Sequence, residues 1–520
     1  MGEVECDEFV KDWDVIVIGS GIGGMAAAAA LSRTGHKVLL LEQYQTLGGL
    51  THSFSRNGFT WDVGLHYLGG LAPGEPEKDI LDWLSETPIE LESMGAVYDT
   101  LHIGRSEPLQ LSRPYEAQAM DLKERFPDEG DAIENWIAAM RKGRDAMMTV
   151  IQTRSMPVLL AAGLKWWKRR EINKWCNRTT EEVARDITKN DDLVAALTAQ
   201  WGDFGGRPGT ASFGMHATVV GSYLECGAWY PVGGASVIAD HILPTITSRG
   251  EVRAGVRVDS LLIEDDRVVG VTTADGNEFR ADVVVSDIGA RETVENLLPK
   301  DCGHDDWVED IRSLDPNIAH FTLFLGFEGD VETAGATKSN HWIYPAGEVD
   351  AVWTDVPEET PPGMFVSFAS LKDPAHDPGP HQKHMGEILA WTDWSTMERW
   401  AMAAPGERGD DYRAFKQRVE EAMFAQFTAY FPKLAELTVY RELATPLSTV
   451  DITGHYQGAF YGLDVTPRRV FSDALQMKTP IKGLYLAGQD AATPGIAGAM
   501  WGGLLAAASV DPKVFAHFPR

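Results

Sequence analysis

The stretch Asp14–Gly24 constrains the fold of this chain most, because it joins an apolar strand to a glycine-rich turn. It opens into the alanine-rich segment Met25–Leu31. β-Branched residues favour a strand and alanines favour a helix. Glycines at the G-x-G-x-x-G spacing allow a tight turn and let a pyrophosphate approach bare backbone at a helix N-terminus. The stretch therefore predicts a dinucleotide site. Its phosphate loop contains Gly19, Gly21, Gly23 and Gly24.

A second strand and an acid extend this unit. Lys37–Glu42 is an apolar run that ends in Glu42, 23 residues after Gly19. An acid about 20 residues beyond the first glycine binds the ribose hydroxyls, which favours an unphosphorylated adenosine ribose as in FAD or NAD. The pair Gly48 and Gly49 follows. A simple NAD domain does not need this pair, whereas an extended flavin cofactor runs past it.

A matching element lies near the other end of the chain. Gly483–Asp490 is a strand that ends in glycine and acid, and a small-residue helix follows from about Ala497 to Ser509. This discontinuous layout is typical of FAD proteins. No second G-x-G-x-x-G follows a strand, so we expect no permanent nicotinamide domain. A transient nicotinamide, a quinone, oxygen or a protein partner all stay open as electron donor or acceptor.

Composition narrows the partners. The formal net charge of −30 argues against nucleic-acid binding, because a phosphate backbone would be repelled. Cys6, Cys176, Cys226 and Cys302 form no C-x-x-C pair, which predicts free thiols in a reducing, cytoplasmic compartment and no metal site. Met1–Asp14 lacks the regions of a secretory signal, and Cys6 stands where N-myristoylation needs Ser or Thr.

One segment departs from the acidic average. Arg141–Arg178 holds ten Lys or Arg against two acids. Within it, Pro157–Trp175 joins an apolar half to a half with tryptophans and cations. An interfacial helix would place Trp166, Trp167 and Trp175 at headgroup level and its cations on anionic lipids. We therefore expect peripheral contact with a membrane face. The alternative is a cap helix whose cations pair with neighbouring acids.

Several motifs together resemble the phytoene-desaturase-type flavoproteins, a family that includes carotenoid isomerases and retinol saturases. The resemblance covers nearly the whole chain and is closest to the retinol saturase and carotenoid isomerase branch. The first and last motifs are specific for FAD, whereas the others select a branch of the family. The motifs are Val17–Gly24, Glu42 with Gly48 and Gly49, Asp62–Gly70, Tyr230–Gly234, Val284–Asp287, Gly458–Gly462 and Gly483–Asp490.

The resemblance implies an α/β fold with a Rossmann-type FAD-binding domain, of the glutathione-reductase-like and amine-oxidase-like type. An α+β substrate domain and a helical cap are inserted into it. The implied FAD domain is discontinuous and comprises residues 1–75, 225–304 and 470–520. The implied insertions are a mainly helical cap at 76–224 and a substrate-binding domain at 305–469. The cap contains the segment 157–175, for which composition predicts membrane docking.

The resemblance also implies roles for single cofactor-binding residues. Glu42 would hold the adenosine ribose, and the backbone of Val256 would contact adenine. Asp490 would lie near the ribityl-phosphate end of the FAD, and Gly488, in the same motif, would be a further cofactor-binding residue.

The implied activity is that of an FAD-dependent oxidoreductase at a carbon–carbon double bond of a long apolar isoprenoid, carotenoid-like or retinoid-like. A saturase is favoured. A redox-neutral cis–trans isomerase that uses reduced FAD, and a carotene desaturase, are alternatives. A flavin-containing lipid-binding protein without turnover belongs to a different class. Amine oxidation is disfavoured by the apolar cap.

Four residues are candidates for the active site. His66 and Tyr67 lead for the transfer of one proton, because the resemblance places their glycine-rich loop near the flavin. The alternative is a histidine that hydrogen-bonds a nearby carbonyl and shapes the turn. Tyr230 and Tyr461 stand in similar glycine-flanked motifs. For these two, packing against substrate or flavin is favoured over proton transfer.

Overall fold

In a computed structural model, the protein is described over residues 12–300, 302–354 and 359–518. Cys6 and the first eleven residues, which carry the predictions on secretion and myristoylation, lie outside this description. The strands are β1 (Val15–Ile18), β2 (Val38–Leu41), β3 (Ser53–Arg56), β4 (Phe59–Asp62), β5 (Leu68–Gly69), β6 (Leu91–Ser93), β7 (Val97–Ile103), β8 (Leu109–Ser112), β9 (Ala228–Pro231), β10 (Glu251–Arg253), β11 (Val258–Glu264), β12 (Arg267–Thr273), β13 (Glu278–Arg280), β14 (Val283–Ser286), β15 (Ala319–Glu328), β16 (Asn340–Tyr344), β17 (Met364–Ser367), β18 (Lys383–Thr392), β19 (Thr438–Ala444) and β20 (Leu484–Leu486).

The helices alternate with these strands in the N-terminal, central and C-terminal parts of the chain and dominate between β8 and β9. They are α1 (Ile22–Arg33), α2 (Pro76–Leu84), α3 (Tyr115–Arg125), α4 (Gly130–Thr153), α5 (Val158–Cys176), α6 (Thr180–Ile187), α7 (Asp191–Thr198), α8 (Phe213–Cys226), α9 (Val237–Thr247), α10 (Ala290–Glu292), α11 (Asp305–Arg312), α12 (Val331–Ala334), α13 (Ala369–Lys372), α14 (Gly409–Tyr430), α15 (Pro432–Glu436), α16 (Pro446–Thr453), α17 (Pro467–Phe471), α18 (Gly488–Ala491), α19 (Ile496–Val510) and α20 (Lys513–Ala516).

A parallel sheet forms the nucleotide-binding part of the fold. Its strand order is β10-β2-β1-β14-β20, and each neighbouring pair is parallel. β1 and β2 are fully buried, which explains their continuous apolar sequence. The sheet therefore joins segments from both ends and the middle of the chain. Helices α1 and α19 pack so closely beside it that a Cβ on Gly503 would lie 1.9 Å from the Gly23 carbonyl oxygen.

A second sheet has the order β19-β15-β18-β17-β16-β7-β8. Its long central strands β15 and β18 pair antiparallel over their whole length. β7 joins the sheet parallel to β16, although β7 lies within the segment 76–224 interpreted as a mainly helical cap. The sheet thus joins the predicted cap segment 76–224 to the predicted substrate-binding segment 305–469, because β7 finds its partner more than 200 residues away in sequence.

The helices between β8 and β9 form a layer in which α4 packs against α5 and α8. This packing corrects one prediction. Trp175 is only 7% exposed, and its ring lies 5.8 Å from that of Phe213 on α8. Trp175 therefore belongs to the core rather than to a headgroup layer. Trp166 and Trp167, by contrast, are 68% and 70% exposed.

The structure also bears on membrane spans and on disulfides, within the residues that it describes. None of the helices there combines the length and the apolar character needed to cross a membrane. Cys176, Cys226 and Cys302 are free thiols there, as predicted.

Candidate cofactor cleft and active site

The predicted phosphate loop borders a cavity of about 630 Å³. β1 ends at Ile18, the chain turns through Gly19 at φ +95°, and α1 begins at Ile22. The N-cap of α1 is Gly21, which has no side chain to occupy the N–H groups of the first turn. The loop and the helix end therefore form the type of concave surface that binds an anionic phosphate.

Glycine is required at several of these positions because other backbone lies against them. A Cβ on Gly24 would lie 2.1 Å from the Gly19 carbonyl oxygen, and one on Gly49 would lie 2.9 Å from the Gly21 Cα. Gly48 shapes the next turn: its φ is +108°, and its N–H donates to the Ser20 hydroxyl oxygen at 3.1 Å. Gly19, Gly21, Gly23 and Gly49 line the cavity wall, whereas Gly24 and Gly48 serve close packing.

Glu42 directly follows β2 and lines the same cavity. Its carboxylate accepts hydrogen bonds from the Ser20 N–H at 2.8 Å and from the Tyr44 N–H at 2.8 Å. Its carbonyl accepts from the Val256 N–H at 2.8 Å, and Val256 lines the cavity. The two residues predicted to hold adenosine are therefore brought together at one end of the cleft, and their contacts with a nucleotide stay predictions.

The C-terminal element reaches the cleft from the other side. Asp490 is buried, and its carboxylate accepts from the Leu463 N–H and the Ala290 N–H, both at 2.9 Å. Gly488 packs so closely against Gly23 that a Cβ added to Gly23 would lie 2.6 Å from the Gly488 Cα. Asp490 thus lines the cavity while it ties three chain segments together.

Asp287 is a residue of the cleft that the sequence analysis missed as a site residue, although it ends one of the quoted motifs. Its carboxylate accepts a hydrogen bond from the Gly24 N–H at 2.6 Å. Burial raises the pKa of Asp287 to about 8, against the lowering effect of that hydrogen bond. A carboxyl that is neutral at neutral pH can lie beside a phosphate without repelling it.

A second cavity meets the first at Gly64, Tyr461, Gly495 and Ile496, which line both. Much of its wall is apolar and comes from α4, α8 and α19. These side chains are Met148, Ile151, Val219 and Trp501. Glu42 and Val256, which are predicted to hold adenosine, line the first cavity and not this one, so we name this second space the ring-end cavity, after the flavin ring expected there.

His66 lies on the wall of the ring-end cavity. Its Nδ1 lies 3.0 Å from the Glu387 Oε2, and its carbonyl accepts from the Lys372 Nζ at 2.7 Å. Burial lowers the pKa of His66 to about 3 and raises that of Glu387 to about 8. The imidazole is therefore neutral at physiological pH, and Lys372 fixes the loop that carries it.

Tyr67 lines the same cavity and stacks on Tyr223, with ring centroids 4.4 Å apart. Its hydroxyl oxygen lies 2.8 Å from Asp203 Oδ1 and 3.1 Å from Asp99 Oδ2. Tyr67 therefore joins the buried Asp99 to the half-buried Asp203, which also faces the cavity.

The other two candidate tyrosines differ in position. Tyr461 lines both cavities, at their junction. Tyr230 is buried on β9, and its hydroxyl donates to the Asp62 carboxylate. Asp62 also accepts from the Ala235 N–H at 3.0 Å, so Tyr230 stabilises the base of the Asp62–Gly70 loop and is not part of the described cavity walls.

Four polar residues near the ring-end cavity were not identified from the sequence. A usable signal existed, because each charge interrupts an apolar or aromatic stretch that is otherwise buried. They are Asp99, Asp203, Lys372 and Glu387. Among the residues that the structure describes, no group of three or more His, Cys, Asp or Glu is arranged to hold a metal ion.

Comparison with known proteins identifies the family. The model of flavin-containing amine oxidoreductases matches residues 22–511. The chain belongs to this family. An all-trans-retinol 13,14-reductase from Danio rerio is 31% identical over 95% of this chain and 85% of that protein, and a chloroplastic prolycopene isomerase from Daucus carota is 26% identical over 95% and 79%.

The solved structures show the fold of this flavin family. Cyclohexylamine oxidase from Brevibacterium oxydans IH-35A matches 98% of this chain and 100% of its own, with a TM-score of 0.62 and 17% identity. The predicted α/β fold, the FAD cofactor and the resemblance to the retinol saturase and carotenoid isomerase branch are thereby confirmed. The chain is an FAD-dependent oxidoreductase. The cleft fits this cofactor, since bare glycine backbone, the N-terminus of α1 and Glu42 all border it.

Proposed function

We propose that this enzyme reduces a carbon–carbon double bond of a long apolar isoprenoid, with a retinoid-like or carotenoid-like polyene as substrate. The observation that carries the proposal is the ring-end cavity, which joins the cofactor cleft at Gly64, Tyr461, Gly495 and Ile496. The similarity to an all-trans-retinol 13,14-reductase over most of both chains supports the same reaction class.

Bound FAD supplies the hydride of this reaction. The chain itself must hold the polyene against the ring, exclude water and supply one proton. Apolar side chains from α4, α8 and α19 would hold the polyene. Near the junction of the two cavities, the polyene would be oriented by His66, Tyr67 and Tyr461. For the cofactor-binding glycines, we propose the same roles as in the sequence analysis.

A redox-neutral cis–trans isomerase is the second candidate, favoured by the similarity to a prolycopene isomerase. One experiment separates the two. The purified flavoprotein is reduced without oxygen and mixed with all-trans-retinol or a carotene. Stoichiometric flavin reoxidation with a shortened chromophore supports the saturase. Isomer formation without reoxidation supports the isomerase instead. If none of the polyenes is reduced or isomerised, both candidate functions are contradicted.

We also propose that α5 docks on an anionic lipid surface. Leu159 is 87% exposed, which is costly for an apolar side chain unless something covers it. Two cations lie over the exposed tryptophans, with the Lys168 Nζ 4.8 Å from the Trp167 ring centroid. Lys165, by contrast, pairs with Asp473 at 3.2 Å, as a simple cap helix would require. Because α4 packs on α5 and lines the ring-end cavity, docking would bring that cavity close to dissolved polyene.

The division into three regions remains a proposal. The parallel sheet agrees in position with the segments 1–75, 225–304 and 470–520. The second sheet draws β7 and β8 from the segment 76–224, so the substrate-binding region would include these strands as well as residues 305–469.

A further inference from the structure

Asp203 lies where a substrate atom in the ring-end cavity could reach it. It belongs to the connection between α7 and α8, and it lines the cavity together with Tyr67 and Tyr461. Two residues later, Gly205 lies so close to Tyr461 that a Cβ there would be 3.0 Å from the tyrosine ring. The segment that carries Asp203 is therefore packed against the junction of the two cavities.

Asp99 and Asp203 differ in the number of hydrogen-bond donors around them, and this difference decides which of the two acids is ionised. Asp99 is fully buried, and its carboxylate accepts from three side-chain N–H donors as well as approaching Tyr67. Those donors are Gln200 at 2.8 Å, Trp342 at 2.9 Å and Asn340 at 3.0 Å. The described partner of Asp203 is the Tyr67 hydroxyl alone. Donors stabilise an ionised carboxylate, so Asp99 holds the negative charge and Asp203 keeps a proton.

The groups that face Asp203 reinforce this division. Burial and the Asp99 charge raise the pKa of Asp203 well above its ordinary value, and the Tyr67 hydrogen bond opposes them. Lys372 lies close enough to Asp99 for the two charges to attract, and the Asp99 charge raises the pKa of Lys372 against the lowering effect of burial. Tyrosines from the loop, β7, α8, β16 and the Gly458–Gly462 segment also face Asp203, namely Tyr67, Tyr98, Tyr223, Tyr344 and Tyr461. His66, Glu77 and Arg144 line the same cavity.

We propose that the Asp203 carboxyl delivers the proton that completes reduction of the substrate double bond. The inference rests on the proposed function. One carbon of the double bond receives a hydride from the reduced cofactor. The π electron pair forms a bond from the neighbouring carbon to the Asp203 proton, and the O–H bond of Asp203 breaks to leave a carboxylate. Solvent reprotonates this carboxylate after the product leaves.

Tyr67 and His66 suit this step less well. Ionisation of Tyr67 would place a phenolate against the charged Asp99 carboxylate, and burial together with the two neighbouring acids raises the pKa of Tyr67 well above its ordinary value. His66 is neutral at physiological pH, because burial lowers its pKa to about 3. Tyr67 is therefore a positioning residue that donates to Asp203 and stabilises the carboxylate left behind.

The first test reads the proton directly and needs no turnover. Difference infrared spectroscopy of the FAD-loaded protein at neutral pH compares wild type with Asp203→Asn. We expect the variant to lose one band of a protonated carboxylic acid. The control Asp192→Asn, which removes an exposed carboxylate of α7, should leave that band in place. A spectrum without an Asp203-dependent acid band overturns the proposal.

The second test reads the pH profile of polyene reduction. Turnover in wild type should fall as the pH rises through the pKa of Asp203. Tyr67→Phe removes a hydrogen bond that lowers this pKa, so the falling limb should move to higher pH. Asp203→Asn should retain FAD and lose turnover by a factor on the order of 10² to 10⁴, as expected for loss of a general acid.

These outcomes separate the inference from the proposed function. If wild type reduces the polyene and Asp203→Asn does so equally fast, Asp203 is not the donor and the proposed function stands. If the falling limb of the pH profile lies at the same pH in Tyr67→Phe as in wild type, the inference is also contradicted. If wild-type protein reduces no polyene, the proposed function fails and the inference fails with it.

Discussion

The Asp287 carboxylate accepts a 2.6 Å hydrogen bond from the Gly24 amide, across 263 positions of sequence. This bond joins the end of β14 to the first turn of α1. It places an acid beside the phosphate loop, and if this acid were ionised it would repel the phosphates of the cofactor. Burial raises the pKa of Asp287 to about 8, so the side chain is largely neutral at neutral pH.

The affinity for FAD should therefore fall as the pH rises through about 8. Above this pKa the Asp287 carboxylate is ionised and repels the pyrophosphate, whereas below it the neutral carboxyl does not. Asp287→Asn should remove this alkaline loss of affinity. Fluorescence titration of the apoprotein with FAD over a pH series measures it. An alkaline loss of equal size in the variant would assign it to another group.

Replacement of Gly23 by alanine should abolish FAD retention. The added methyl group would lie 2.3 Å from the Asp287 Oδ1 and 2.6 Å from the Gly488 Cα, so the Asp287 side chain and the Gly488 backbone must both shift. Gly130→Ala is the matched control, because a Cβ there meets nothing within 4 Å. The flavin absorbance per protein after gel filtration measures retention. Equal flavin content in the two variants would contradict the close packing described for Gly23.

The phosphate-loop glycines were predictable because their chemistry is local. A strand, a tight turn and a helix within eleven residues dictate where bare backbone is needed. Glu42 and Gly49 were accessible for the same reason. The structure adds which glycines form the wall and which allow packing, and this depends on α19 crossing α1 from almost 500 residues away.

The charged residues near the ring-end cavity could be noticed as charges within apolar stretches, but their contacts were not predictable from local sequence. Glu387 is the central acid of an apolar strand, and it reaches His66 only because β18 pairs with β15 and β17 in one particular register. Asp99 meets Asn340 because β7 joins β16, a pairing that no local pattern indicates. Trp175 failed as a prediction for a similar reason, since its burial depends on Phe213 of another helix.

The double variant His66→Ala with Tyr67→Phe should lower turnover at least about tenfold while FAD stays bound, because both residues line the ring-end cavity rather than the nucleotide end. His66→Ala also leaves the buried Glu387 without its neighbour. Adding Glu387→Gln should therefore restore thermal stability without restoring turnover. Flavin absorbance, melting temperature and polyene reduction are measured together. Unchanged turnover in the double variant would remove both residues from the mechanism.

Docking of α5 should depend on both its tryptophans and its cations. Trp166→Ala with Trp167→Ala removes the exposed rings, and Lys168→Glu with Arg169→Glu reverses the adjacent charge. Each cation near an anionic surface contributes about 1 kcal/mol, so charge reversal should weaken binding on the order of tenfold or more. Met402→Ala, at a site 98% exposed outside α5, is the control. Flotation with phosphatidylserine vesicles should lift wild type and the control but neither α5 variant. Equal flotation on neutral phosphatidylcholine vesicles would contradict a role for the cations, and wild type that stays in the dense fraction would contradict docking itself.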